Sequence, residues 1–221
     1  MTPDWLLYFI TDRHLAVQRP LSDVVTDAVN AGIRAVQLRE KDLSPRALIE
    51  FATQLRRVTA AAGALLFIND RVDVALAVDA DGVHLPSRSL PVAVVRRILG
   101  PQKWIGVSTH SLEDVEAAAG GGADFVTFGP VFPTPSKLRY GEPVGLEKLA
   151  EAARHSPLPV FAVGGITPNR IGSVFAAGAH GVAMISSIMS HRDSRSAARV
   201  CLDAIEAVRV ERSVDPSSTR C

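Results

Sequence analysis

Eight short apolar runs, each followed by an amphipathic or alanine-rich stretch, set the limits on what this chain can fold into. The runs are Leu6–Thr11, Ala35–Arg39, Ala64–Asn69, Gly82–Leu85, Trp104–Ser108, Phe125–Phe128, Val160–Gly164 and Val182–Ser186. They are near-continuously apolar rather than alternating, the pattern of strands buried on both faces. Between them lie segments with helical spacing: Leu21–Ala31, Pro45–Ala62, Leu90–Leu99, Leu112–Gly120, Leu146–His155, Thr167–Ala177 and Ser194–Val210. The link after Asn69 is shorter, with Arg71–Val78 leaving about two helical turns. Such alternation specifies a parallel sheet covered by helices. Eight units within 221 residues predict a single (β/α)8 (TIM) barrel near the small end of its size range. A doubly wound open sheet is the competing arrangement, and no glycine-rich dinucleotide fingerprint follows the first run to support it. Ser44-Pro45 and Thr167-Pro168 each read as an N-cap followed by proline at the first helical position. The barrel is expected over residues 1–212, with 213–221 as a disordered polar tail.

Charge excludes several classes of partner. The 24 basic and 23 acidic residues leave a net charge of +1, with no electrostatic case for nucleic acid or an anionic membrane. No apolar segment approaches membrane-spanning length, and the first residues lack a signal-peptide pattern. Cys201 and Cys221 form no metal-ligand or CxxC pattern, so reduced thiols in a cytoplasmic setting are expected. Exposed apolar helix faces could serve a homo-oligomer, but no residue pattern marks them.

The polar residues are informative through their positions. In a barrel the active site lies where the strands end, and here unusual polar residues fall there, strand after strand. The second run ends in Gln37-Leu-Arg39-Glu-Lys41, whose alternation predicts three polar side chains on one face. Arg39 and Lys41 facing one cavity would repel unless an anion joins them, and the competing reading is a surface salt bridge to Glu40 or Asp42. The third run ends in Asn69-Asp70. Asp70 suits either the cap of the short helix that follows or a carboxylate holding Mg2+ on a phosphorylated substrate. His84 and His110, after the fourth and fifth runs, suit either proton transfer or structural hydrogen bonds. Ser108 closes the fifth run. After the sixth, Gly129, Pro130, Pro133 and Pro135 break the strand into a loop bearing Thr134, Ser136 and Lys137. Two hydroxyls, backbone N–H groups and an ammonium are the parts of an anion site. Gly164-Gly165 lets backbone approach a ligand closely, and a second phosphate site is expected at Gly165, Ile185 and Ser186. Two anion sites on one cavity suit an enzyme that joins a diphosphate-activated molecule to a phosphorylated acceptor.

Several stretches together resemble the thiamine-phosphate synthase/TenI superfamily. They are Val36-Gln-Leu-Arg-Glu-Lys41, Ile68-Asn-Asp70, Asp81-Gly-Val-His-Leu85, Gly106-Val-Ser108, Gly129-Pro-Val-Phe-Pro-Thr-Pro-Ser-Lys137 and Val163-Gly-Gly-Ile166. The resemblance runs from about residue 6 to residue 190 and implies a (β/α)8 barrel. It implies small-molecule substrates: a transferase that joins hydroxymethylpyrimidine diphosphate to thiazole phosphate and releases pyrophosphate. On that reading Gln37, Arg39, Lys41 and Asn69 contact the pyrimidine diphosphate, and Asp70 ligates Mg2+. Ser108 and Lys137 bind the pyrophosphate; Thr134, Ser136, Gly165, Ile185 and Ser186 hold the thiazole phosphate. The implied mechanism is dissociative: pyrophosphate leaves before the thiazole nitrogen captures the pyrimidine cation.

The chain departs from the synthase pattern after His84-Leu85, where Pro86-Ser-Arg-Ser89 puts Ser89 in place of a second metal-binding Asp. Leu85-Pro-Ser-x-Ser89 and His110-Ser-Leu-Glu113 look more like the TenI branch, which includes thiazole tautomerases. The histidine expected of a tautomerase in the sixth strand is absent, with Pro130 in that neighbourhood. A metal-free tautomerase using His84 or His110 is the alternative activity, and a non-catalytic thiazole phosphate binder the third reading.

Overall fold

A computed structural model describes residues 2–16, 19–134 and 142–214, with side chains through residue 211. Among the described residues eight parallel strands form a closed barrel in chain order. They are β1 (Leu7–Ile10), β2 (Ala35–Leu38), β3 (Leu65–Asn69), β4 (Gly82–Leu85), β5 (Trp104–Thr109), β6 (Phe125–Phe128), β7 (Val160–Val163) and β8 (Gly181–Met184). β1 closes the ring by pairing with β8 through Leu7–Val182 and Phe9–Met184. Around it lie α1 (Leu21–Asn30), α2 (Pro45–Ala61), α3 (Val72–Ala77), α4 (Val92–Leu99), α5 (Leu112–Gly120), α6 (Gly145–His155), α7 (Ile171–Ala176), α8 (Ser186–Met189) and α9 (Ser194–Val214). α9 continues two residues past the boundary drawn at Arg212; the rest of the expected tail lies outside the described residues.

The pleat sorts each strand into two cores. Phe9, Val36, Leu66, Val83, Ile105 and Val126 point outward under the helices, while Tyr8, Ala35, Phe67, Phe125, Phe161 and Ala183 fill the barrel. This two-sided burial is why the strands read as unbroken apolar runs. Inside, large residues face small ones. Phe125 meets Tyr8, Phe67 and Phe161 at ring-centroid distances of 5.4, 5.6 and 5.5 Å, edge to face. A Cβ added to Gly106 would stand 2.4 Å from Cζ of Phe125, so β5 has to be bare at that layer.

At the lower end, aspartates that precede β4 and β6 pin the neighbouring strand. Asp81 accepts from the backbone N–H of Leu66 at 2.7 Å and from Arg56 at 3.0 Å. Asp124 accepts from the backbone N–H of Ile105 at 2.7 Å and from Arg96 at 2.6 Å. These pairs serve stability, leaving the upper end for chemistry.

Local expectations fared unevenly. Ser44 caps α2 by accepting from the N–H of Ala47, with Pro45 following. Thr167 makes no side-chain cap, and its helix begins as a 3-10 turn over Pro168–Arg170 before α7. The last run also ends sooner than expected: β8 stops at Met184, and Ser186 opens α8 instead of closing a strand.

Candidate active site

The inner side chains turn polar at the C-terminal ends of the strands. Gln37 is buried one layer above Ala35, and its Nε2 donates to the Tyr8 hydroxyl at 3.1 Å. That bond fixes the amide and accounts for a buried polar group in an aromatic barrel. β2 stops at Leu38, so strand alternation reaches Gln37 but neither Arg39, just past the strand end, nor Lys41, which lies on an exposed turn before α2.

The acids beside these cations bind elsewhere. Glu40 is buried and accepts from the Thr11 hydroxyl at 2.8 Å, the N–H of Arg13 at 3.1 Å and the Arg13 guanidinium at 3.1 Å. Asp42 takes the other edge of the same guanidinium at 2.5 and 2.6 Å and also meets His14 at 3.1 Å. Arg13 beside it holds the Asp42 carboxyl far below the usual carboxylate range. The competing reading, a surface salt bridge from Arg39 to Glu40 or Asp42, is not what the structure shows. The guanidinium of Arg39 has no hydrogen-bond or ion-pair acceptor among the described residues, while its backbone N–H is fixed on Thr11 Oγ1 at 3.0 Å. Its charge also reaches His84. A partly buried cation at the C-terminal end of the barrel, with no acceptor among the described residues, suits an anion. The Thr11–Arg13–Glu40 cradle behind it escaped the sequence reading, although Thr11-Asp12-Arg13 ends the first run as the other polar groups end theirs.

Asp70 follows β3 with φ of 65°, a left-handed conformation that Asp tolerates better than most residues. It does not cap α3 with its side chain: the N-cap position is Arg71, and no side-chain cap bond is made. Its exposed carboxylate instead accepts from the Ser89 hydroxyl at 2.5 Å. The fold thus brings Ser89 beside the one carboxylate, as the motif position implied. No cluster of three or more His, Cys, Asp or Glu suited to a metal exists among the described residues. One carboxylate and one hydroxyl 2.5 Å apart still fit Mg2+, which keeps several waters and is commonly held by one or two carboxylates plus substrate phosphates.

His84 and Ser108 meet on neighbouring strands. His84 Nε2 lies 3.0 Å from Ser108 Oγ and 3.3 Å from Thr127 Oγ1. The ring is buried against Tyr8 and Phe125. Burial first, and the charge of Arg39 second, lower its pKa to about 3, so the imidazole is neutral at ordinary pH. His110 is exposed at the top of β5; its Nδ1 meets the Gly129 carbonyl and its N–H donates to Asp114 at 2.8 Å. Asn69 ends β3 in register with His84, two residues above the inward Phe67.

The loop after β6 is laid on the end of β7. Val131 and Phe132 donate N–H bonds to the carbonyls of Val163 and Gly164 at 2.9 and 3.1 Å. Gly164 and Gly165 adopt φ of 98° and 63°. A Cβ on Gly165 would stand 2.7 Å from the Pro133 carbonyl, so the glycine pair seats this loop as well as leaving backbone near a ligand. Arg170 secures the same corner, donating to the Gly165 carbonyl at 2.6 Å with its guanidinium 4.6 Å from the Phe132 ring centroid. Ile185 and Ser186 open α8, and the Ser187 hydroxyl ties that turn to the Ile166 carbonyl at 2.7 Å. Gly165 and Ser186 thus belong to adjacent, mutually anchored loops. Thr134 is the last described residue of the β6 loop; Ser136 and Lys137 lie outside the described residues.

A concavity of about 360 Å³ lies at the other end of the barrel, lined by Trp5, Arg34, Arg199 and Glu206 among others. Arg34 and Arg199 there are paired with Asp4 and Asp203, and none of the site residues reaches it.

Comparison with known proteins bears on this arrangement. A family described as thiamine monophosphate synthase matches residues 7–188. The thiamine-phosphate synthase of Roseiflexus castenholzii is 47% identical over 198 residues, covering 90% of this chain and 87% of that protein. That of Moorella thermoacetica is 40% identical over 207 residues, covering 94% and 99%. The solved thiamine phosphate pyrophosphorylase from Pyrococcus furiosus is 39% identical with a TM-score of 0.84, covering 92% of this chain and 96% of that one.

Proposed function

Because the chain belongs to the thiamine monophosphate synthase family, we propose that its polar upper rim carries out the synthase reaction with Mg2+. The activity is that of a thiamine-phosphate synthase, a transferase of thiamine biosynthesis acting on small-molecule substrates. The reaction breaks the C–O bond between the pyrimidine methylene and the diphosphate, which leaves with the electron pair. The thiazole nitrogen then supplies its lone pair to the methylene carbon.

The observation that carries the residue assignment is Arg39, a cation held in place by its backbone while the acids next to it are engaged by Arg13. Charge builds on the departing diphosphate oxygens, so a preorganised cation stabilises the transition state more than the ground state. Gln37 and Asn69, at the ends of β2 and β3, would orient the pyrimidine. Asp70, with Ser89, would hold Mg2+ on the diphosphate, where the ion neutralises leaving-group charge. Lys41, Lys137 and Ser108 would complete the diphosphate contacts. Thr134, Ser136, Gly165, Ile185 and Ser186 would place the thiazole phosphate on the opposite side. His84, neutral and enclosed, suits a positioning part better than proton transfer.

The test mixes purified protein with hydroxymethylpyrimidine diphosphate, thiazole phosphate and Mg2+ and follows pyrophosphate. Thiazole-dependent release with equimolar thiamine phosphate is expected, together with loss on adding EDTA and in Lys137→Ala and Asp70→Ala. Full activity in either variant would overturn the assigned roles. No release from folded protein that binds thiazole phosphate would instead favour the tautomerase.

A further inference from the structure

We propose that His84 is a positioning residue which makes the Ser108 hydroxyl a hydrogen-bond donor toward the departing diphosphate. The proposal rests on the synthase reading above and starts from an asymmetry of one ring. Nε2 of His84 faces two hydroxyl oxygens, Ser108 Oγ at 3.0 Å and Thr127 Oγ1 at 3.3 Å. Nδ1 is buried with no hydrogen-bond partner. It packs against bare β5 backbone, where a Cβ on Gly106 would stand 2.6 Å from it.

Two neutral tautomers are available. With the proton on Nδ1, a buried N–H would have no acceptor, and the single lone pair of Nε2 would have to serve two hydroxyl donors. With the proton on Nε2, one N–H is shared between two acceptor oxygens, and Nδ1 is left as a bare lone pair. Orphaned buried N–H groups are rarer than under-satisfied acceptors, so the geometry selects the Nε2–H form. Ser108 then accepts from His84, and its own proton is turned away from the ring.

Ser108 is only half-buried at the top of β5, two residues above the inward Gly106. Its O–H is thereby directed away from the ring, toward the open C-terminal end of the barrel where the diphosphate would sit. An anionic oxygen needs donors, whereas a serine whose proton pointed at histidine would offer it a lone pair. Thr127, in register with Ser108 on β6, shares the His84 proton and holds the ring in line. A donor aimed at developing charge is typically worth roughly 100- to 1000-fold in kcat.

The experiment is a double-mutant cycle read as steady-state pyrophosphate release. We expect Ser108→Ala and His84→Leu each to lower kcat with the KM for thiazole phosphate unmoved. In the Ser108→Ala background, His84→Leu should add less than about threefold, because neighbours that act as one unit are non-additive. His84→Gln, whose amide nitrogen reaches the Nε2 position, should recover most of the rate, and His84→Asn, which reaches only the Nδ1 position, should not. The Gln–Asn contrast decides the matter if the leucine variant fails to fold. Additive losses, or equal rates in Gln and Asn, would overturn the proposal while wild-type turnover leaves the synthase reading intact. Long-range 1H–15N spectra of the imidazole read the tautomer without turnover: Nε2–H is expected, and Nδ1–H would overturn the proposal whatever the activity.

Discussion

Changing Glu40 to glutamine should unsettle both the fold and the cation at the site. The carboxylate accepts from Thr11 Oγ1 at 2.8 Å, from the Arg13 N–H at 3.1 Å through both oxygens, and from the Arg13 guanidinium at 3.1 Å. A glutamine keeps one acceptor oxygen and turns an NH2 toward Arg13, setting donor against donor. The guanidinium stays held by Asp42, so no bare buried charge results. The loss is about one charge-assisted bond, roughly 2 kcal/mol. For a chain of this size that corresponds to a fall of about 4–8 °C in melting temperature. The same change loosens the Arg13 end of the cradle that backs Thr11, whose Oγ1 accepts the N–H of Arg39 at 3.0 Å, so kcat/KM for the pyrimidine diphosphate should fall roughly tenfold as the guanidinium loses its fixed base. Asp42→Asn is the control: its pair with Arg13 is about half exposed, with side chains 26% and 53% accessible, so solvent screens it and this variant should melt closer to wild type than Glu40→Gln does. Thermal melts and pyrophosphate kinetics on both variants decide it. A Glu40→Gln protein melting within about 1 °C of wild type, or one no weaker than Asp42→Asn, would refute the reasoning.

Ser89→Asp places a second carboxylate where the hydroxyl now donates to Asp70 at 2.5 Å; Mn2+ or Mg2+ should bind about tenfold tighter by calorimetry, while the metal-stripped variant melts below wild type. Unchanged metal affinity would remove Asp70 as the metal ligand. Stability should also follow the burial of His84. Its folded pKa of about 3 lies below the unfolded value, so the unfolded chain binds more protons between the two and stability rises with pH across that window. From pH 6.5 down to pH 5 the wild type should lose about 2 kcal/mol through this group. Urea titrations should show that part of the loss missing in His84→Gln, and equal slopes in the two proteins would argue that the ring charges in place.

Eight apolar runs with helices between them were enough to write down the barrel, because a strand buried on both faces shows itself as an uninterrupted run of β-branched and aromatic residues such as Leu-Leu-Phe-Ile before Asn69. The same runs put Gln37, Asn69, Asp70, His84 and Ser108 at or just past the C-terminal ends of β2 to β5, which is where the barrel has them. Two sequence arguments failed where a local pattern met a three-dimensional partner. Alternation put Lys41 with Gln37 and Arg39, but β2 ends at Leu38 because Thr11 and Glu40 take over the hydrogen bonding there. Capping statistics suited Asp70, yet its carboxylate turned to Ser89, nineteen residues away in sequence.

What the chain by itself determined is the order of elements and the type of residue at each strand end, since both depend on spacing along one polymer. What only the tertiary structure decided is which of those groups are already engaged. Glu40 and Asp42 neighbour Arg39 in sequence but are consumed by Arg13, and His84 finds its partner on a strand that follows it by 24 residues. Pairing depends on distance through space, and closing the barrel sets those distances.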